Sequence, residues 1–133
     1  MSAAAWRRAL LAVVIVVTVG CGGDSDDPRC VAKQALRDAV RAVSHAESAE
    51  GAGDEEEVRQ QIGEAERLIG IARRNLSSAT TSSVERGMLE AAEYLDFIVG
   101  VYRESGAVDG TLAQFASREL NRAPAPGEAA PNC

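Results

Sequence analysis

The sequence predicts an all-α fold: a small up-down-up-down helical bundle of three long helices plus one short, with an extended C-terminal tail. Three observations carry that expectation. Apolar residues recur at intervals of three and four through most of positions 28–122, whereas alternation at intervals of two is almost absent. Helix-starting patterns precede each periodic run, at Asp27-Pro28, Asp54–Glu57, Ser82–Glu85 and Thr111–Gln114. Short links rich in Gly, Ser or Thr separate the long runs, and short links make neighbouring helices antiparallel.

The first helix starts with Asp27 as N-cap and Pro28 in its first turn, where the missing proline N–H costs nothing. Its apolar stripe is Val31, Ala32, Ala35, Leu36, Ala39, Val40 and Val43, and it stops before Gly51-Ala52-Gly53. Asp54-Glu55-Glu56-Glu57 opens the second helix as a capping box, with Glu57 reaching back to the Asp54 amide. Val58, Ile62, Ala65, Ile69, Ala72 and Leu76 form its stripe. Gly63 and Gly70 inside it are positions where a neighbouring helix could approach closely. After the link 77–81, Ser82 and Glu85 make another capping-box pattern. The third helix carries Val84, Met88, Ala91, Ala92, Leu95, Ile98, Val99 and Tyr102 and ends near Ser105-Gly106. A shorter fourth helix spans Thr111 to Arg122, capped by Thr111 and Gln114, with Leu112, Phe115, Ala116 and Leu120 as its stripe. Residues 123–133, with three prolines, read as an extended tail.

Residues 1–20 stand apart from this pattern. Arg7 and Arg8 precede an uncharged, mostly aliphatic stretch from Ala9 to Val19, which is shorter than the roughly 20 residues a membrane-spanning helix needs. That layout is a secretory signal peptide. Thr18-Val19-Gly20-Cys21 resembles the lipobox of bacterial lipoproteins, with Thr18 where that family prefers Leu, Val or Ile. The resemblance implies that Cys21 is lipidated, becomes the new N-terminus, and holds the chain at the extracytoplasmic face of the cell membrane. Ordinary cleavage after Gly20 is the alternative. Two or three acyl chains anchor stably where one holds only marginally. Residues 21–27 form a Gly- and Asp-rich leash that reaches no more than about 25 Å when extended.

Cys21, Cys30 and Cys133 are the three cysteines. An exported chain with three thiols leaves one unpaired, so lipid on Cys21 leaves Cys30 and Cys133 as the remaining pair. Topology agrees. Three long helices of roughly 23 residues run about 35 Å each, and the short fourth covers about half of the return. Extended residues at about 3.1 Å each can carry the tail back to Cys30 in the first turn of the first helix. Free or intermolecularly paired thiols are the alternative.

Fourteen Lys and Arg stand against twenty Asp and Glu; loss of Arg7 and Arg8 with the signal leaves twelve against twenty, a net charge of −8. That sign argues against a nucleic-acid partner. No cluster of His and Cys suits zinc, and no calcium-loop pattern surrounds Asp54–Glu57, so neither metal nor other cofactor is expected. His45 is the only histidine, placed opposite the apolar stripe near the end of the first helix. Ser48, Ser105 and Asp109 belong to the same end of the bundle, but no nucleophile-elbow or oxyanion motif accompanies them, and no enzyme is expected.

The informative feature is aromatic. Tyr94, Phe97, Tyr102 and Phe115 are the aromatics beyond the signal, all in the third and fourth helices. Phe97 and Val101 add a second apolar stripe to the third helix beside Leu95, Ile98 and Tyr102. Either the fourth helix and tail cover that stripe, or Tyr94, Phe97, Val101 and Phe115 face a partner or ligand. The sequence thus points to an envelope lipoprotein acting as a non-catalytic interaction or accessory module. A small carrier or sensor of a hydrophobic ligand is the alternative.

Overall fold

The computed structural model describes residues 27–76 and 82–129 together with Pro131 and Cys133. The signal segment, the lipobox-like Cys21, the leash before Asp27 and the link 77–81 lie outside the described residues. Four helices follow in order: α1 Pro28–Gly51, α2 Glu55–Asn75, α3 Ser83–Ser105 and α4 Gly110–Leu120. The all-α bundle of three long helices and one short is the expected architecture. Packing is most extensive between α1 and α2 and next between α3 and α4, while α1 and α3 also meet across the bundle. No contact joins α2 to α4 among the described residues, so these two occupy opposite sides.

Small residues make up most of the buried side of α1. Ala32, Ala35, Ala39, Ala42, Ala46 and Ala49 of α1 are all buried, beside Leu36 and Val43. Among the described residues, twelve of the 27 buried apolar ones are alanine. Alanine lets backbones approach but buries little surface, at roughly 25 cal/mol per Å2. The larger buried side chains, Leu36, Ile69, Met88, Leu95, Ile98 and Val43, supply the bulk of the centre. The α1 stripe therefore differs in detail from the expected one: Val31 and Val40 are only half-buried, and Ala42, Ala46 and Ala49 extend it. In α2, Leu68 joins the expected Val58, Ile62, Ala65, Ile69 and Ala72. Gly63 and Gly70 are not sites of close helix approach. Gly63 is exposed with open space around it, and a side chain at Gly70 would meet only the tip of Arg74. The close approach is at Gly87 of α3, where an added Cβ would stand 2.6 Å from the Glu119 carbonyl oxygen of α4.

The helix ends follow the sequence with two corrections. Asp27 accepts the Arg29 amide at 2.9 Å, as an N-cap does. Asp54 accepts the Glu57 amide at 3.2 Å, but the capping box is not reciprocal. The Asp54 amide instead donates to the Ala49 carbonyl at 3.0 Å, and the Glu57 carboxylate accepts from Gln61 at 2.8 Å. The α1–α2 turn thus takes the donor a capping box would have used. The second correction concerns α4, which is capped by Asp109 rather than Thr111 and ends at Leu120 rather than Arg122. The Asp109 carboxylate accepts the Thr111 amide at 3.0 Å. Asp is a better cap than Thr, and it places the start of α4 at Gly110. At the other end of that link, Gly106 closes α3 and the Glu50 carboxylate of α1 holds the Val108 amide at 2.9 Å.

The tail is more than a spacer. A turn at Pro126-Gly127, with Gly127 at φ 85° and the Glu128 amide donating to the Ala125 carbonyl, redirects the chain. That φ suits glycine at the third position of a proline-led turn. The turn delivers the Glu128 carboxylate to the Ser83 amide, at 3.0 and 3.2 Å from its two oxygens, where it caps the N-terminus of α3. Beyond it, Cys133 forms a disulfide with Cys30, their Cα atoms 5.5 Å apart. The start of α1, the start of α3 and the end of the chain are therefore tied at one end of the bundle.

Candidate docking face

The outer surface of α3 is built from residues three, four and seven apart: Glu90, Glu93, Tyr94, Phe97, Gly100, Val101 and Glu104. Leu95, Ile98 and Val99 turn the opposite way into the core. Phe97 consequently remains 61% exposed, the most exposed of the large apolar side chains described. The tail and α4 do not cover it.

What α4 does cover is the lower part of the stripe. Phe115 stacks on Tyr94 with ring centroids 5.9 Å apart and an interplanar angle of 27°. Phe115 is itself 41% exposed and carries the Arg118 guanidinium 5.5 Å from its ring centre. Phe115 is not on the buried side of α4, which is formed by Ala113, Ala116 and Leu120. Tyr94 is half-buried against the core, and so is Tyr102. The four residues singled out in the sequence thus form one chain of neighbours. Val101 and Phe97 line one open groove with Gly100, while Phe97 and Tyr94 line the next with Leu112.

Carboxylates predominate along these two grooves, where Glu90, Glu93, Asp96 and Glu104 stand against Arg73. Asp96 pairs with Arg73 of α2, and Glu90 pairs with Arg122 at 2.8 Å. Glu93 and Glu104 line the grooves with no hydrogen-bond or ion-pair partner among the described residues. Each end of the apolar stripe therefore carries an unneutralised carboxylate. Between them, Gly100 has open space where a side chain would stand, so the groove is notched beside Phe97. Gly in a helix interior costs about 1 kcal/mol relative to Ala, and a mostly exposed Phe gains little from burial. Both features lie on the same face.

The other sequence candidates fall elsewhere. His45 is exposed and lines a groove between α1 and α4 with Arg37, Val40, Arg41, Ser44, Ser117, Leu120 and Asn121. Ser48, Ser105 and Asp109 are not among these residues. The Ser105 hydroxyl donates to the Val101 carbonyl at 2.7 Å, and the Asp109 carboxylate serves as a helix cap. The structure does not assemble a Ser-His-Asp arrangement from them. Among the described residues, no group of three or more His, Cys, Asp or Glu is placed to hold a metal ion, and no helix is long and apolar enough to cross a membrane.

Sequence reasoning missed the roles of Glu93, Gly100, Glu104 and Leu112 at the face. Their spacing from Phe97, at minus four, plus three and plus seven for the α3 residues, was the available signal. Comparison with protein-family models, with curated proteins and with solved structures finds no match to this chain.

Proposed function

We propose that this protein is a lipid-anchored, extracytoplasmic and non-catalytic interaction module of a bacterial envelope, docking a partner protein on the outer face of α3. The signal layout and the lipobox-like Thr18-Val19-Gly20-Cys21 support the anchor, and Cys21 is its attachment point. An oxidised Cys30–Cys133 bridge suits a compartment outside the cytoplasm. The observation that carries the docking role is the exposed Phe97, flanked by Tyr94 and Val101 and by the unpaired Glu93 and Glu104.

That combination selects the partner's chemistry. An apolar helix face with Lys or Arg at its flanks would bury Phe97 and Val101 and neutralise Glu93 and Glu104. A second copy of this chain would bring carboxylate against carboxylate, which is unfavourable. The carrier reading requires a pocket that encloses most of its ligand, and the grooves beside Phe97 are open to solvent. Docking fits the shape better.

The test uses an amphipathic helical peptide of leucine and lysine as probe. Binding by the full chain should be lost in Phe97→Asp and in Gly100→Leu, because the second fills the notch without touching the fold. Binding unchanged in both variants would remove the docking role. An environment-sensitive dye that binds the full chain, is released by fatty acid and is unaffected by the peptide would support the carrier instead.

A further inference from the structure

Separate from the α3 face, on the other side of α4, lies the groove that contains His45. We propose that this groove is an oxyanion site, taking a phosphate group either free or as part of a lipid headgroup. Its lining is unusual for this chain. Arg37, Arg41 and His45 project from α1 at four-residue intervals, joined by Ser44, Ser117 and Asn121 over a floor of Val40 and Leu120. No carboxylate lines it, in a chain with twenty acidic residues. Every polar group in the lining can donate a hydrogen bond.

Those donors are also uncommitted. The side chains of Arg37, Ser44, His45, Ser117 and Asn121 have no hydrogen-bond or ion-pair partner among the described residues. Arg41 makes one exposed contact, to Asp38 at 3.4 Å, which a bound anion can replace. Lys33 extends the row one turn towards the start of α1, and its ammonium is held below the usual lysine range by burial and then by the Arg37 charge. Like charges four apart destabilise a helix. In α2, by contrast, the arginines Arg59 and Arg67 are paired, with Glu56 and Glu64. The α1 row has no such neutralisation for Lys33 or Arg37. Two guanidinium groups with hydroxyl and amide donors around them match the several oxygens of a phosphate better than the two of a single carboxylate.

The experiment is a titration of sodium pyrophosphate into the full chain in phosphatidylcholine nanodiscs, followed by amide resonances. It is run at physiological ionic strength, where charges beyond about 8 Å are screened. Shifts confined to residues 37–45 and 117–121 are expected, with affinity roughly tenfold or more lower in Arg37→Gln, since each charge-assisted hydrogen bond lost is worth about that much. Arg59→Gln, a substitution at an exposed arginine of α2, should bind as the unmodified chain does. A second arm replaces part of the phosphatidylcholine with phosphatidylglycerol and adds no pyrophosphate. Arg37-dependent shifts there would identify a lipid headgroup as the source of the phosphate, and shifts with pyrophosphate alone would identify a soluble one. No shifts in either arm, or equal affinity in Arg37→Gln and the unmodified chain, would overturn the site. Melting curves of both variants exclude unfolding as a cause.

Discussion

Phe97 and Leu95 are two residues apart on α3 and live in opposite environments, 61% and 0% exposed. That contrast gives a direct check on how the helix is turned. Leu95→Ala should cost about 2–5 kcal/mol, whereas Phe97→Gln should change stability by no more than about 0.5 kcal/mol. Thermal melts of the two variants compare them; equal losses would mean that Phe97 is core. Gly87 is the complementary case. An alanine Cβ there meets the Glu119 carbonyl, a backbone atom that cannot swing aside, so Gly87→Ala should cost about 1–3 kcal/mol. Helical spacing was enough to identify Phe97 and Val101 as a stripe apart from Leu95 and Ile98. It could not identify Gly87, because a glycine carries no hydropathy signal and its constraint comes from α4, 32 residues further on.

The helices themselves were legible because each carries its own period and its own cap. Their ends were less so where a residue from another element intervened. Asp54 lost half of its capping box to the α1–α2 turn, and Thr111 yielded its capping role to Asp109, which precedes it by two residues. The cap on α3 shows the limit most clearly. Ser82 accepts the Glu85 amide at 3.5 Å, but the Ser83 amide is held by Glu128, 45 residues away. In the sequence the three prolines read as an extended tail, and nothing local says that a turn at Pro126-Gly127 would point back at α3. Glu128→Ala should cost about 1 kcal/mol and speed hydrogen exchange at the Ser83 amide. The start of α1 should also respond to pH. The Arg29 side chain, and then its amide, hold the Asp27 carboxyl below its ordinary value of 3.8. A carboxyl lowered on folding stabilises fully above that ordinary value, and its contribution is lost as pH falls through the lower, folded value. Exchange at the Arg29 amide should therefore accelerate, relative to its intrinsic rate, only in that acidic window. An Asp27→Asn variant should lack the change.

The bundle as a whole depends on closure. Nearly half of its buried apolar residues are alanine, so the core is thin for its length. The Cys30–Cys133 bridge joins residues 103 apart in sequence, a span for which chain-entropy estimates give up to about 4.7 kcal/mol. Replacing both cysteines with alanine should lower stability by several kcal/mol, read as a fall in urea midpoint; an unchanged midpoint would assign the stability to the helices alone. That pairing could be anticipated because the lipobox-like reading assigns Cys21 to lipid and so leaves two thiols, and because the up-down topology returns the tail to Cys30. Anchor and bridge are thus linked, and one experiment reads both. Intact mass of the chain extracted from membranes of a lipidating host should correspond to a start at Cys21 with added diacylglyceryl mass, and should gain two hydrogens on reduction. An unlipidated mass starting at Cys21 would contradict the anchored, membrane-proximal module and leave Cys21 as a third thiol to be accounted for.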